Sequence, residues 1–291
     1  MSRNNKNKDW VTAVILEDSD GDETISNLIK EKKQETIIQK QEKEQEPEQE
    51  TIIQEPELTK PKRKRTVAPK LSIMYNNDPN IVEFGIDEVG RGPMFGRVYA
   101  GLVVLPKDDS FDHSQMKDSK KFHSKKKIDQ VAQYIKDNAI AWSVQYEDEQ
   151  TIDEINILQA TQLAMHKCIK DVMKQLPDIE HENILLLVDG SYFKPMTLLN
   201  KTKTKLESLN YVTVTGGDNK FSSIAAASIL AKVERDNYIE ELCLNNPELS
   251  ERYGIDSNKG YGSSEHLAGI REYGITKWHR KTFGICKNYD V

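Results

Sequence analysis

The sequence predicts a layered α/β domain that follows a long polar segment outside its core. Two observations carry this. From about residue 71, short apolar runs rich in β-branched residues alternate with longer stretches of helical periodicity, as in a sheet with helices packed on it. Before that, residues 1–70 are dominated by Glu, Gln, Lys and Asn, and 31–57 has too few apolar side chains for burial to offset the entropy of ordering it. We therefore expect a disordered, charged tail and basic linker over 1–70. A folded body should follow over 71–291, its last part, from about 245, a small appendage.

Residues 81–88 and 98–105 read as strands, separated by the glycine-rich Gly90-Arg91-Gly92-Pro93 and paired as a hairpin. A helix starts near Ser124, and a third strand covers 139–146. Between Thr151 and Leu176, apolar residues recur at Ile155, Leu158, Met165, Ile169, Val172 and Leu176, which marks one face of a helix. The run 184–188 is a buried strand ending at Asp189, and 211–215 is another that leads into Gly216-Gly217-Asp218. Ser and Ala dominate 222–231 and good helix formers continue to about 244, so Asp218 sits just before a helix. Residues 253–283 carry Gly254, Gly260, Gly262 and Gly274 around a short helical stretch, 264–273, and read as a loop-rich appendage with little core of its own.

The 291 residues carry a formal charge of −6. Residues 1–58 hold 8 Lys/Arg against 15 Asp/Glu, which leaves 33 against 32 for the rest. An indiscriminate polyanion binder is thereby disfavoured, while basic patches on a neutral body remain open. Lys117, Lys120, Lys121, Lys125, Lys126 and Lys127 form one such patch, although Lys runs are also ordinary solvated helix faces. Pro61-Lys62-Arg63-Lys64-Arg65 fits a nuclear address or a phosphate-binding arm as well as a plain linker, and the apolar island 10–16 fits a docking segment for an unknown partner. Cys168, Cys243 and Cys286 lack zinc-site spacing and suit reduced thiols. With no bilayer-length apolar run and no secretory signal core, we expect no membrane partner and an intracellular protein, cytoplasmic by default or nuclear if the basic run is an address.

Asp87 and Glu88 lie near the end of a strand whose other residues, Ile81, Val82, Phe84, Ile86 and Val89, are apolar enough to be largely buried. Carboxylates in that setting are costly unless cations or donors neutralise them, and several clustered without matching Lys or Arg favour hard divalent ions. Asp189 and Asp218 are the third and fourth candidates, because the carboxyl ends of parallel strands gather at one edge of an α/β sheet. Any one of these aspartates, taken alone, serves equally well as a helix cap or turn residue. Four at strand ends favour a common site. Strand periodicity puts Asp87 and Glu88 on opposite faces, so both reach one metal pair only if the chain turns, as Gly90 allows. One arrangement has Asp87 bridging two metals while Glu88 acts through its backbone carbonyl or a bound water.

The run Gly85-Ile86-Asp87-Glu88-Val89-Gly90-Arg91-Gly92-Pro93 closely resembles the opening signature of the type 2 ribonucleases H, the ribonuclease HII family. Asp118-Ser119-Lys120-Lys121, Asn156-Ile157-Leu158-Gln159-Ala160-Thr161, Val188-Asp189-Gly190, the Ser/Ala-rich helix ending Lys232-Val233-Glu234-Arg235-Asp236, and Asn258-Lys259-Gly260-Tyr261-Gly262 follow in family order. The resemblance spans about 81–283. It implies a ribonuclease H-like fold: a mixed five-stranded sheet flanked by helices, with a small helical C-terminal region that helps hold the substrate. It implies Asp87, Glu88, Asp189 and Asp218 as the metal-binding catalytic acids and two divalent ions, Mg²⁺ or Mn²⁺, as cofactors.

The implied activity is endonucleolytic: hydrolysis of the RNA strand of RNA/DNA hybrids and cleavage 5′ of ribonucleotides embedded in duplex DNA, leaving 5′-phosphate and 3′-hydroxyl ends. Gly90, Arg91 and Gly92 would read the 2′-hydroxyl through the main chain, with Tyr261 against the adjoining sugar and Lys120 and Lys121 on phosphates. His266, His279, Arg280 and Lys281 are further candidates for backbone contacts, although a lone His is more often structural. We expect a monomer. Two departures from the family pattern bear on substrate affinity and loop shape: Arg97 stands where proline is common, and Thr215-Gly216-Gly217-Asp218 lacks the lysine that often precedes the fourth acid. Two rival readings remain, another metal-dependent nuclease on a similar fold and a non-catalytic hybrid-binding subunit. The pairing of the glycine turn with Tyr261 argues against the first, and retention of all four acids against the second.

Overall fold

The computed structural model describes residues 70–199 and 206–290. The expected disordered tail, its apolar island and the basic run 61–65 lie outside the described residues.

Five strands form one mixed sheet: β1 (Val82–Val89), β2 (Val98–Val104), β3 (Ala141–Glu147), β4 (Ile184–Asp189) and β7 (Asn210–Val214), in the order β3-β2-β1-β4-β7. β1 and β2 form the expected antiparallel hairpin, and β2 pairs with β3 in the same sense. β4 and β7 run parallel to β1, so the carboxyl ends of β1 and β4 lie side by side, with Ile86 opposite Val188. The order brings Asp87 and Asp189 to neighbouring strands although 101 positions separate them in the chain. A small two-stranded sheet, β5 (Thr197–Leu199) with β6 (Leu206–Ser208), was not legible in the sequence pattern.

Helices cover both faces. α2 (Glu149–Gln175) buries Ala164, Met165, Cys168, Ile169 and Val172 against Phe84, Ile86, Leu102 and Leu186. On the other face, α1 (Lys125–Asn138) and α3 (Ser222–Asn245) enclose Val103, Ile128, Val131, Ile135, Ile229 and Leu230. α2 is not the single regular helix expected: Asn156 sits at φ 67° and breaks it. The Asn156 carboxamide accepts from the Leu158 and Gln159 amides, capping the second half and making a left-handed residue tolerable there. Among the described residues no helix is long and apolar enough to cross a membrane.

The C-terminal region consists of α4 (Glu248–Tyr253), α5 (Ile255–Asn258) and α6 (Ser264–Tyr273). Its apolar side chains join a core shared with the body: Leu249, Tyr253, Ile255, Ile270, Ile275 and Cys286 gather around Met94 and Phe95 from the β1–β2 connection and Ile239 and Cys243 from α3. The apolar residues are spread over segments too short to show a period, so only the tertiary fold assembles them.

Candidate active site

The turn after β1 is the centre of the site. Gly90 has φ +91° and a Cβ there would lie 2.4 Å from Arg235 Nε, so the chain can leave the strand this way only with glycine. The turn brings Asp87, Glu88, Gly90, Arg91 and Gly92 to one wall of a cleft of about 280 Å³, with Asp189, Asp218, Ser119, Lys120, Ser228, Lys232 and Tyr261 around the rest. All four expected acids therefore line one cleft, Asp87 and Glu88 among them although both lie within β1.

Each acid rests on a donor. Asp87, 5% exposed, accepts from the Glu88 amide at 2.7 Å, and Glu88 Oε1 meets Arg91 at 2.9 Å. Asp189 accepts from the Gly217 amide at 2.6 Å, and Asp218 from the Asn219 carboxamide at 2.9 Å. In this loop, which lacks the lysine that often precedes the fourth acid, the Gly217 backbone amide supplies a donor to Asp189. Burial holds the Asp87 carboxyl well above the usual carboxylate range, and the Glu88 charge adds to the effect. Burial also raises Glu88, against the opposing Arg91, and raises Asp189, where Asp218 contributes repulsion. Among the described residues, no three His, Cys, Asp or Glu side chains yet converge as a metal cage. The donor set fits hard divalent cations: four carboxylates line one cleft, and burial raises the pKa of Asp87, Glu88 and Asp189 although Arg91, Lys120 and Lys232 line it too.

Local structure explains the basic contribution. Asp118 caps a 3₁₀ turn by accepting from the Lys120 amide, and the Ser119 hydroxyl meets that of Ser228 on α3 at 3.0 Å. That anchoring aims Lys120 into the cleft. Lys121 is directed elsewhere, to the Asn219 carboxamide and a neighbouring hollow lined by Lys70, Lys117 and His113. Lys125 is engaged by Asp129, Glu240 and Asn237. A roomier hollow of about 480 Å³ lies beside the start of α2. Its carboxylates are already committed, Glu149 to the Tyr238 hydroxyl and Asp153 to the Lys281 and Thr282 amides, so size does not mark the reactive site.

Tyr261, 51% exposed, stands beside the turn: a Cβ on Gly92 would lie 3.5 Å from its ring. Of the candidates for backbone contacts, His266, His279 and Arg280 are 0%, 1% and 0% exposed, so the structural alternative holds for both histidines and Arg280 is no surface contact either. They build the site from behind. His266 Nδ1 reaches the Tyr261 carbonyl at 2.9 Å, its Nε2 meets His279 Nε2 at 3.1 Å, and His279 Nδ1 accepts from the Thr276 amide. Arg280 and the equally hidden Arg235 hold the turn itself. Sequence reasoning gave Arg280 only as a candidate for backbone contacts and Arg235 only as part of a motif, and it missed their role behind the turn, since a buried arginine without a carboxylate partner carries no local signal. Arg97, in place of the family's usual proline, lies between the rings of Tyr146 and Tyr238, 4.1 and 4.2 Å from their centroids, so the departure is accommodated by cation–π packing.

Comparison with known proteins decides the family. A family model described as Ribonuclease HII matches residues 84–286. The chain belongs to the ribonuclease HII family. It is 41% identical over 206 residues to "Ribonuclease HII" of Phocaeicola vulgatus, covering 71% of this chain and 90% of that one. To the protein of the same name from Parabacteroides distasonis it is 43% identical over 204 residues, covering 70% and 90%. The crystal structure of ribonuclease H2 from Pyrococcus horikoshii superposes with a TM-score of 0.51 at 23% identity, over 72% of this chain and 96% of that one, which supports the shared fold. Membership makes this chain an enzyme of the ribonuclease H class, a metal-dependent hydrolase whose family activity is endonucleolytic cleavage of RNA in RNA–DNA hybrids.

Proposed function

We propose that this ribonuclease HII cuts duplex DNA on the 5′ side of a single embedded ribonucleotide as well as longer hybrids, with two divalent ions held by Asp87, Glu88, Asp189 and Asp218. The carrying observation is that these four acids share one cleft with the Gly90 turn and Tyr261. A phosphodiester with a ribose beside it can then meet both at once. Mg²⁺ or Mn²⁺ bound by the acids supplies Lewis acidity at the scissile phosphate. Water adds to phosphorus and the bond to the upstream 3′ oxygen breaks, which leaves a 3′-hydroxyl and a 5′-phosphate on the ribonucleotide. Lys120 and Lys232 line the same cleft and suit the phosphate charge, while the exposed Lys121 suits a phosphate further along the strand. The main chain at Gly90, Arg91 and Gly92 approaches the ribose, with the Tyr261 ring against the adjoining deoxyribose. Catalytic and substrate-holding parts all belong to residues 71–291 of one chain, consistent with a working monomer.

The test uses the full chain with duplex DNA carrying one ribonucleotide, with Mg²⁺, Mn²⁺ or chelator, beside Asp87→Asn. Metal-dependent nicking immediately 5′ of the ribonucleotide is expected, lost at least ~100-fold in the variant because a ligand to the ions is gone. Cleavage of long hybrids alone would remove the single-ribonucleotide reading. Binding without cleavage of either would overturn the catalytic one.

A further inference from the structure

Two fully buried guanidinium groups sit behind the cleft with backbone carbonyls as their partners. Arg280 donates from Nη2 to the Gly90 carbonyl at 2.6 Å, from Nη1 to those of Arg91 and Pro93 at 3.1 and 2.8 Å, and from Nε to that of Gly96 at 2.8 Å. Arg235 donates from Nη2 to the carbonyls of Lys259 and Phe95 at 2.9 and 3.4 Å, and from Nε to that of Arg97 at 3.4 Å. The Arg280 donors thus take up one short turn, and Arg235 ties the end of that turn to the loop that carries Tyr261. Backbone bonds complete the seam: Met94 N–H to Gly260, Gly96 N–H to Trp278 and Arg280 N–H to Met94.

The consequence follows from peptide geometry. Each peptide unit is planar and trans, so its C=O and the next residue's N–H point in opposite directions. Turning the carbonyls of Gly90 and Arg91 inward to Arg280 turns the N–H groups of Arg91 and Gly92 outward, and both residues are exposed and line the cleft. We infer that Arg280, backed by Arg235, is a positioning residue for ribonucleotide recognition: it fixes the turn with its donors facing the substrate and holds that turn in register with Tyr261. The inference rests on the proposed reading of the 2′-hydroxyl by this turn. It requires the planar fork of arginine, because a lysine ammonium keeps the charge but cannot span carbonyls arranged around a guanidinium.

The experiment compares wild type and Arg280→Lys on duplex DNA carrying one ribonucleotide and on the same duplex with 2′-fluoro at that position. Thermal melting and affinity for an all-DNA duplex are measured in parallel. Wild type should cut the 2′-hydroxyl substrate far faster than the 2′-fluoro one. In R280K that preference should shrink at least tenfold, chiefly through kcat on the ribonucleotide substrate, while all-DNA affinity stays within about twofold. A merely structural role would lower both cleavage rates in proportion and leave the preference unchanged, which would overturn the inference. If wild type shows no preference, the reading of the turn fails, and the inference with it. Should R280K not fold, Arg235→Lys carries the same comparison, since it loosens the same turn from the Tyr261 side. An unchanged preference there would equally overturn the inference.

Discussion

His279 shows how much of the site depends on residues that touch no substrate. It is buried, and its Nε2 faces His266 rather than a carboxylate. With each ring neutral, the bonds run in one sense: Thr276 N–H to His279, His279 N–H to His266, and His266 N–H to the Tyr261 carbonyl. Burial, helped by the His266 ring, pulls His279 down to about 3. A histidine depressed in the folded state binds protons preferentially when unfolded. Its stabilising contribution is therefore present above the ordinary histidine range and lost as pH falls from about 6.5 toward 3. Between pH 7 and pH 5 the wild type should lose about 2 kcal/mol of stability through this group. His279→Gln, less stable at pH 7, should show a flatter slope over that interval in denaturant melts at fixed ionic strength. Equal slopes would mean that the ring is not held neutral. The same scale shows what the sequence could not distinguish. Glu83 is as buried as Asp87 and lies in the same strand, yet it is met by the Tyr75 and Asn76 amides and by Lys107 at 3.1 Å. An acid in an apolar run signals a need for compensation, and only the fold shows whether donors or ions supply it.

At the scale of elements, the alternation of apolar runs and helical periods was enough to place all five strands of the main sheet within two residues or so; in β1, β2 and β4 burial on both faces leaves a continuous apolar signature. The Asn156 kink and the C-terminal core were not legible, since each depends on contacts between distant segments. The Ser/Ala run was read as a helix, but why its residues are small emerges only from packing. α3 crosses β2 so closely that a Cβ on Gly101 would sit 2.3 Å from the Ala227 carbonyl oxygen. No rotamer change relieves a clash with backbone. Gly101→Ala should therefore push α3 off the sheet and cost about 1–3 kcal/mol, seen as a lowered denaturation midpoint. Asp87, on the strand paired with β2, and Ser228, next to Ala227, belong to the same interface, so activity should fall by more than the folded fraction does. A substitution tolerated without loss of stability would mean that the helix–sheet spacing is softer than this contact implies.

For the whole molecule, the question is how much chain the catalytic body needs. A strap just ahead of β1 ties its start to the start of α3: the Ser72 amide donates to the Lys220 carbonyl, the Ser222 amide to the Ser72 carbonyl, and Tyr75 packs on Phe221 with ring centroids 5.6 Å apart. The same strap supplies the amides that satisfy Glu83. A chain beginning at Val67 keeps all of these, so its melting temperature should match the full chain within about 2 °C, and its kcat should be unchanged. A chain beginning at Ile81 strips two donors from a buried carboxylate and frees the segment beside Asp218. It should lose about 2–4 kcal/mol and most of its activity. A third start, at Thr59, separates folding from binding, because it retains Lys60, Lys62, Arg63, Lys64 and Arg65, which the Val67 chain lacks. If that basic run acts as a phosphate arm, the Thr59 chain should bind duplex more tightly than the Val67 chain at low salt. The difference should fade as salt rises, at equal kcat, because screening and counterion release govern such contacts. Equal affinities across the salt series would reduce the run to a linker, while failure of the Val67 chain to fold would move the domain boundary into the preceding residues.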